Sequence, residues 1–179
     1  MIQTARENGL YIDKKDWSSF GERKRLPSGE SIIYLNETES AVYKIRDPFA
    51  KGAIKDLNPF WIIYEHIIHN LLFPDTRYDF IGISEDESGI KIILRQPYLD
   101  DQYIIPSQKE IDEYLEQGLG LSNENRYFYG NEFVAVTDVS CEGDNVLSDG
   151  ETLFFIDPII KMKKDPLSII NHYLHNPQS

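Results

Sequence analysis

The sequence predicts an α+β fold, because antiparallel hairpins and helices occupy separate stretches of the chain. Three hairpins are indicated by β-branched and aromatic runs joined by short polar links, over residues 31–45, 78–99 and 145–157. The third contains Asp149-Gly150, a dipeptide that favours hairpin turns. The strand–helix–strand alternation of a doubly wound sheet is missing, and so are the glycine motifs of Rossmann and P-loop nucleotide sites.

Helical patterns lie between the hairpins and after them. The first helix is predicted from Pro59 to about Phe73, where a proline follows. A second is predicted from about Ser107, whose hydroxyl and the carboxylate of Glu110 suit a capping box. A short strand over 131–138 and a last helix over 165–176 complete the pattern. These elements together predict one small domain or two small lobes.

Composition and charge exclude several classes of partner. The net charge is −12, and no basic run is long enough to suit a nucleic acid or an anionic membrane. We expect no nucleic-acid partner and no membrane association, because no apolar run approaches the length of a membrane span. Cys141 is the sole cysteine, which together with the absence of a leader-like segment predicts a cytoplasmic protein.

Lys44 and Glu65 are the first candidate functional residues. Lys44 lies in the strand "AVYKI", where it is either a solvent-facing residue of a half-buried sheet or a buried cation with a function. Glu65 falls on the same helical stripe as Trp61 and Leu72. A buried carboxylate without a partner costs several kcal/mol, so Glu65 should meet His69, a lysine on the preceding sheet, or a wet cleft.

Asp138, Asn145 and Asp157 form the second group of candidates. Each stands where an apolar strand begins or ends, inside the stretch "TDVSCEGDNVLSDGETLFFIDP". Asp and Asn at such places are often turn residues. Three of them arranged around one hairpin also suit a magnesium site, because carboxylate and amide oxygens are ligands of Mg²⁺ that is shared with phosphate.

In this order the residues resemble the protein kinase-like fold, and in particular the minimal kinase-like domain of bacterial polyvalent and mobile-element proteins. "AVYKI" resembles the kinase strand that carries the phosphate-binding lysine, here Lys44, and Glu65 stands where its ion-pair partner would be. The resemblance implies that backbone groups from Gln96 to Tyr98 contact adenine. It also implies that Gly29, in "PSGES", is what remains of the glycine-rich loop.

The resemblance also covers the catalytic loop and the metal-binding acid. "TDVSCEGDNVL" is similar to the D-x-x-x-x-N loop, which implies that Asp138 is the catalytic base and Asn145 a metal ligand. Asp157 stands where the aspartate of D-F-G stands, which implies a second metal ligand. Asp138 and Asn145 are seven residues apart rather than five, and Pro158 follows Asp157. No activation segment or helical peptide platform is expected after it.

The resemblance implies a two-lobed kinase-like fold with an antiparallel N-terminal sheet and a much reduced C-terminal lobe. We expect an N-terminal extension over 1–27, the first lobe over 28–99 and the second over 100–179. The implied activity is transfer of phosphate from ATP, with Mg²⁺, to an unidentified acceptor, either a small molecule or a protein that brings its own docking surface. A kinase-fold pseudoenzyme that binds nucleotide without turnover is the alternative, and an unrelated α+β binding domain remains open.

Overall fold

The computed structural model describes residues 1–24, 31–49 and 60–176. Gly29 and the predicted start of the first long helix at Pro59 lie outside these residues. The chain divides into two compact units. The first unit comprises Met1–Ile63 and Tyr78–Tyr98, and the second comprises Tyr64–Arg77 and Leu99–Ser179. None of the helices in the described residues is long and apolar enough to cross a membrane.

The first unit is built on a five-stranded antiparallel sheet in the order β1-β2-β3-β5-β4. Its strands are β1 (Glu22–Lys24), β2 (Ser31–Asn36), β3 (Ala41–Arg46), β4 (Asp79–Asp86) and β5 (Gly89–Pro97). The pairs β2–β3 and β4–β5 are the first two predicted hairpins. The chain is therefore α+β with antiparallel sheets, as the sequence predicts.

Strand β5 shows why this sheet is apolar on both faces. Its residues Ile92, Ile93 and Leu94 are buried, and they alternate between two apolar clusters. Ile93 packs with Trp17 and other residues of one cluster, whereas Ile92 and Leu94 pack with Tyr78 in the other. Successive side chains of a strand point to opposite faces, so a continuous apolar run is what a strand covered on both faces requires.

The N-terminal segment contributes to this unit through backbone and side-chain contacts. After helix α1 (Ile2–Glu7), the chain runs parallel to β4, where Ile83 N–H donates to Leu10 O at 2.8 Å and Ile12 N–H donates to Ile83 O at 2.9 Å. A 3-10 helix (Lys14–Phe20) follows, and the indole of its Trp17 is buried. The sequence predicts only a weak helical or extended pattern for this segment, because polar and apolar residues are mixed along it.

The second unit combines short strands with helices. It contains most of helix α2 (Trp61–Leu72), a 3-10 turn (Pro74–Thr76), α3 (Gln108–Glu113) with a π-helical continuation (Tyr114–Gly118), β6 (Ser122–Asn125), β7 (Phe128–Gly130), β8 (Val134–Thr137), β9 (Val146–Ser148), β10 (Leu153–Phe155), β11 (Ile159–Met162) and α4 (Pro166–His175). Helix α3 begins with the predicted capping box between Ser107 and Glu110. The strands of the second unit form a four-stranded sheet in the order β11-β8-β7-β6 and a separate hairpin, β9–β10.

The β9–β10 hairpin is the third predicted hairpin, and its link is longer than two residues. Ser148 pairs with Leu153, so four residues, Asp149–Thr152, form the link. Gly150 takes the positive φ of 97° that a side chain would disfavour. The Asp149 carboxylate accepts hydrogen bonds from two backbone N–H groups of the link, and these bonds lower its pKa. The dipeptide therefore closes the turn, although a wider one than the pattern suggests.

Candidate functional site

Lys44 is a buried cation in the first unit. On β3 it pairs with Ile33 on one side and Leu94 on the other, and only 6% of its surface is exposed. Its Nζ donates a hydrogen bond of 3.1 Å to the hydroxyl of Tyr78 and lies 5.1 Å from the centre of that ring. The alternative that Lys44 is a solvent-facing surface residue is therefore wrong.

The end of β5 holds the residues predicted to meet adenine. Gln96 is buried opposite Val42, and Tyr98 follows the strand. The backbone N–H of Tyr98 donates to Ser40 O at 2.9 Å, so that group is used within the unit. Pro97 has no N–H. The backbone groups that Pro97 and Tyr98 can offer to a ligand are therefore their carbonyl oxygens. Contact with adenine stays a prediction.

The loop between β8 and β9 brings Asp138 and Asn145 together. The amide Nδ2 of Asn145 donates to the Asp138 carboxylate at 2.8 Å and to its backbone oxygen at 3.2 Å. Within the loop, Gly143 N–H donates to Ser140 O at 3.1 Å and closes a tight turn. This turn absorbs the two extra residues, so a spacing of seven still allows direct contact between the two side chains.

The backbone of Asp138 has a positive φ of 64°. Asp and Asn enter this left-handed region more readily than other residues that carry a side chain. Asn145 donates hydrogen bonds to both the backbone carbonyl and the carboxylate of Asp138, and these two bonds restrain Asp138 in this conformation. The Asp138 side chain stays exposed, so it can be reached from solvent.

Asp157 lies at the same end of the β9–β10 hairpin as Asn145. Val146 pairs with Phe155, and beyond that pair Ile156 N–H donates to Asn145 O at 2.8 Å. Asn145 therefore stands opposite Ile156, and Asp157 is the next residue along the chain. The hairpin thus places Asn145 and Asp157 at the same end, through a link of four residues rather than two.

The strand that leads to Asp157 is anchored from helix α2 and the turn that follows it. The carbonyl oxygen of Phe155 accepts a 2.5 Å bond from the Thr76 hydroxyl, and Nε2 of His69 lies 3.1 Å from the same oxygen. The Phe155 ring stacks on Phe73 with ring centres 4.4 Å apart and is fully buried. Backbone and ring together fix the chain two residues before the exposed carboxylate of Asp157.

Glu65 lies in the part of helix α2 that belongs to the second unit, with its side chain partly exposed. Lys44 belongs to the first unit. The ion pair between them stays a prediction, and so does any role of Gly29, which lies outside the described residues.

Three contacts at the candidate residues were not foreseen: those of Tyr78, His69 and Thr76. Tyr78 meets Lys44 from 34 positions along the chain, and Thr76 reaches Phe155 over 79. No local pattern marks such residues, because their partners are set by how the elements pack. The only hint is that each is polar or aromatic beside an apolar element.

The donor atoms at the hairpin suit a hard cation. The carboxylate of Asp157 and the amide oxygen of Asn145 are both oxygen ligands, which Mg²⁺ prefers. Among the described residues, no group of three or more His, Cys, Asp or Glu side chains is placed to hold a metal. A magnesium ion here would thus need ligands from a bound phosphate, which is the usual arrangement for Mg²⁺.

Comparison with known proteins gives one match. The family model described as serine/threonine/tyrosine kinase found in polyvalent proteins matches residues 1–164. Neither the curated proteins nor the solved structures contain a significant match. The matched range takes in Lys44, Glu65, Asp138, Asn145 and Asp157.

Proposed function

Because the chain belongs to the family of serine/threonine/tyrosine kinases found in polyvalent proteins, we propose that it transfers phosphate from ATP with the help of Mg²⁺. Family membership gives a kinase-like function in general. The observation that carries the finer proposal is the hydrogen-bonded pair Asp138–Asn145, with Asn145 at the same hairpin end as Asp157. On this proposal the two compact units are the two lobes of a kinase-like fold with a reduced second lobe.

The nucleotide is held by residues of the first unit, together with Glu65 of the second. Lys44 contacts the phosphates, and Tyr78 keeps its ammonium in place through the 3.1 Å hydrogen bond. Glu65 pairs with Lys44 in the competent state. The backbone from Gln96 to Tyr98 receives adenine, and the segment around Gly29 covers the phosphates.

The reacting groups belong to the second unit. An acceptor hydroxyl oxygen attacks the γ-phosphorus of ATP, the bond from that phosphorus to the β–γ bridging oxygen breaks, and ADP leaves with the electron pair. Asp138 orients the hydroxyl and takes its proton. Asn145, through Oδ1, and Asp157 hold Mg²⁺, which when bound neutralises charge on the phosphates.

The acceptor is a small molecule or a protein that brings its own docking surface. After Asp157 and Pro158 the chain enters β11 directly, and β11 pairs with β8 over four residues. A long segment on which a peptide could lie does not intervene between Asp157 and that strand. This arrangement supports an acceptor that does not depend on a platform at that point.

Thermal unfolding with nucleotide tests the binding half of the proposal. ATP with Mg²⁺ should raise Tm, since a ligand at 100 times its Kd stabilises by about 2.7 kcal/mol. Lys44→Ala should remove most of the shift, and Lys15→Ala, which changes an exposed lysine, should keep it. No shift at millimolar nucleotide for the unchanged chain would contradict nucleotide binding.

Turnover separates the enzyme from a pseudoenzyme. Release of ADP from ATP should be measurable and should be lost in Asp157→Ala. Nucleotide binding without ADP release, at several Mg²⁺ concentrations and with a panel of small hydroxyl compounds and proteins as acceptors, would instead support the pseudoenzyme alternative.

A further inference from the structure

The loop that carries Asp138 and Asn145 is held from outside at its middle. The backbone N–H of Cys141 donates to Oε1 of Gln108, at the start of α3, over 3.1 Å. A second outside contact, between Arg126 and Glu142, spans 3.3 Å, but the two side chains are 72% and 68% exposed. A solvated ion pair contributes little, so of these two polar contacts the bond to Gln108 is the one that can fix the middle of the loop, while the buried side chain of Val139 packs the start of the loop into the core.

The orientation of the Gln108 amide is dictated by its other neighbours. Its Nε2 donates to Oδ1 of Asp112 at 2.9 Å and lies 2.8 Å from the hydroxyl of Tyr129. The Tyr129 hydroxyl donates to the same carboxylate oxygen. An ionised carboxylate only accepts hydrogen bonds, so the amide must turn its NH₂ towards Asp112 and its oxygen towards the loop.

Tyr129 makes this arrangement rigid. Its side chain is fully buried in the core of the second unit, on β7, which pairs with β8, the strand that leads into the loop. Burial, and then the hydrogen bond to Asp112, raise the pKa of the Tyr129 hydroxyl. The hydroxyl therefore remains a neutral donor at physiological pH, and the network of three side chains keeps one pattern of donors and acceptors.

We propose that Gln108 is a positioning residue for phosphate transfer, which holds the loop at Cys141 so that Asp138 and Asn145 face the reacting groups, with Asp112 and Tyr129 fixing its orientation. This inference rests on the proposed function. A misplacement of about 1 Å in a reacting group can cost roughly 100-fold in rate. The effect should fall on kcat, because Gln108 lies in the second unit whereas Lys44 and the β5 end lie in the first.

Four variants test the proposal. Gln108→Met keeps the length of the side chain and removes its hydrogen bonds; we expect kcat to fall roughly 10- to 100-fold with KM for ATP within about twofold. Asp112→Ala should act in the same direction, because it frees the amide to turn. Asp112→Asn keeps an oxygen acceptor and should retain most of the wild-type kcat. Arg126→Gln, which removes the exposed ion pair and the contact with the neighbouring Tyr127 but leaves the Gln108 network intact, is the matched control and should leave kcat unchanged.

Hydrogen–deuterium exchange of the peptide that spans 138–145 supplies a readout that does not need activity. Gln108→Met should speed exchange of this peptide, whereas Arg126→Gln should not. Unchanged exchange, or a wild-type kcat in Gln108→Met, overturns the proposal. The proposal is also overturned if the loss of kcat in Gln108→Met equals the loss of folded protein in that variant. If the wild-type chain shows no turnover, the phosphotransferase proposal and the catalytic role of Gln108 both fail, while faster exchange would still identify Gln108 as the residue that holds the loop.

Discussion

Asp138 combines an uncommon backbone conformation with an exposed carboxylate. Its φ of 64° suits Asp and Asn, and the Asn145 amide bonds to its carbonyl and its carboxylate. Two constraints therefore meet at one residue: the backbone must turn left-handed, and the side chain must point at the site. Strained positions of this kind cluster at functional sites, and the inference runs from the observed conformation to the role.

Replacing Asp138 with Asn should separate the two constraints. Asn adopts the same backbone conformation and keeps an oxygen for the Asn145 amide, so Tm should change little. It cannot accept the proton, so kcat should fall about 10²- to 10⁴-fold with nucleotide affinity retained. Asp144→Asn changes the exposed carboxylate next to Asn145 in the same loop and should be nearly neutral. A wild-type kcat in Asp138→Asn would exclude it as the base.

At the scale of the element, Gly82 on β4 controls how the N-terminal segment packs. A Cβ built at this residue would lie 2.4 Å from the backbone oxygen of Leu10. That oxygen accepts the hydrogen bond from Ile83 N–H that joins the two segments. The register of β4 also shifts between Phe80 and Gly82, which marks a bulge where this close approach occurs.

Gly82→Ala should therefore destabilise the fold. Ala would push the backbone of the N-terminal segment away, at a cost of about 1–3 kcal/mol. In a chain of this length each kcal/mol lowers Tm by roughly 2–4 °C. Gly118→Ala is the matched control, because a Cβ there meets nothing within 4 Å. Equal melting temperatures of the two variants would show that the segment does not pack against β4 in solution.

The comparison of sequence with structure is also clearest at the level of elements. The β2–β3 hairpin and the Ser107 capping box follow from neighbours in the sequence, so local patterns predicted them. Strand β6, all of whose residues are exposed and polar, has no apolar alternation to detect. Strand β11 is only four residues long, and it pairs with β8 from 22 or more positions away. The elements missed were those without apolar alternation, such as β6, and those with distant partners, such as β11.

At the candidate site, too, some features follow from the local sequence and others do not. The third hairpin follows from its Asp-Gly turn and could be predicted, whereas the register that sets Asn145 beside Ile156 depends on a four-residue link that the dipeptide does not indicate. The contact between Asp138 and Asn145 could not, because the sequence shows only that their spacing is two residues too long. The turn closed by Ser140 and Gly143 removes that difficulty. Burial of Lys44 was an open alternative, since strand alternation alone does not say whether a face is covered.

At the scale of the whole molecule, the net charge of −12 opposes the approach of a nucleotide. MgATP is an anion, so the overall field would repel it, and on the proposed function buried Lys44 would attract it only at short range. Long-range repulsion is screened by salt, because the Debye length falls from about 30 Å at 0.01 M to about 8 Å at 0.15 M. The local contact with a buried cation is screened much less.

Association with MgATP should therefore become faster as salt is added. Between 0.01 and 0.15 M salt we expect the association rate constant to rise roughly two- to tenfold, with a smaller change in the dissociation rate. Stopped-flow mixing with a fluorescent ATP analogue measures both rates. Adenosine, which carries no charge, is the control ligand and should show no such dependence. Slower association at higher salt would mean that a positively charged surface guides the nucleotide.

The tight turn inside the 138–145 loop has a consequence for how relatives of this chain can be found. Because Ser140 and Gly143 close the turn, length is added in the middle of the loop while its two ends remain hydrogen-bonded. In this chain the contact between the two side chains is made although their spacing is seven residues. A search pattern that fixes four positions between aspartate and asparagine would pass over this chain, which has six, whereas one that allows a variable turn would retain it.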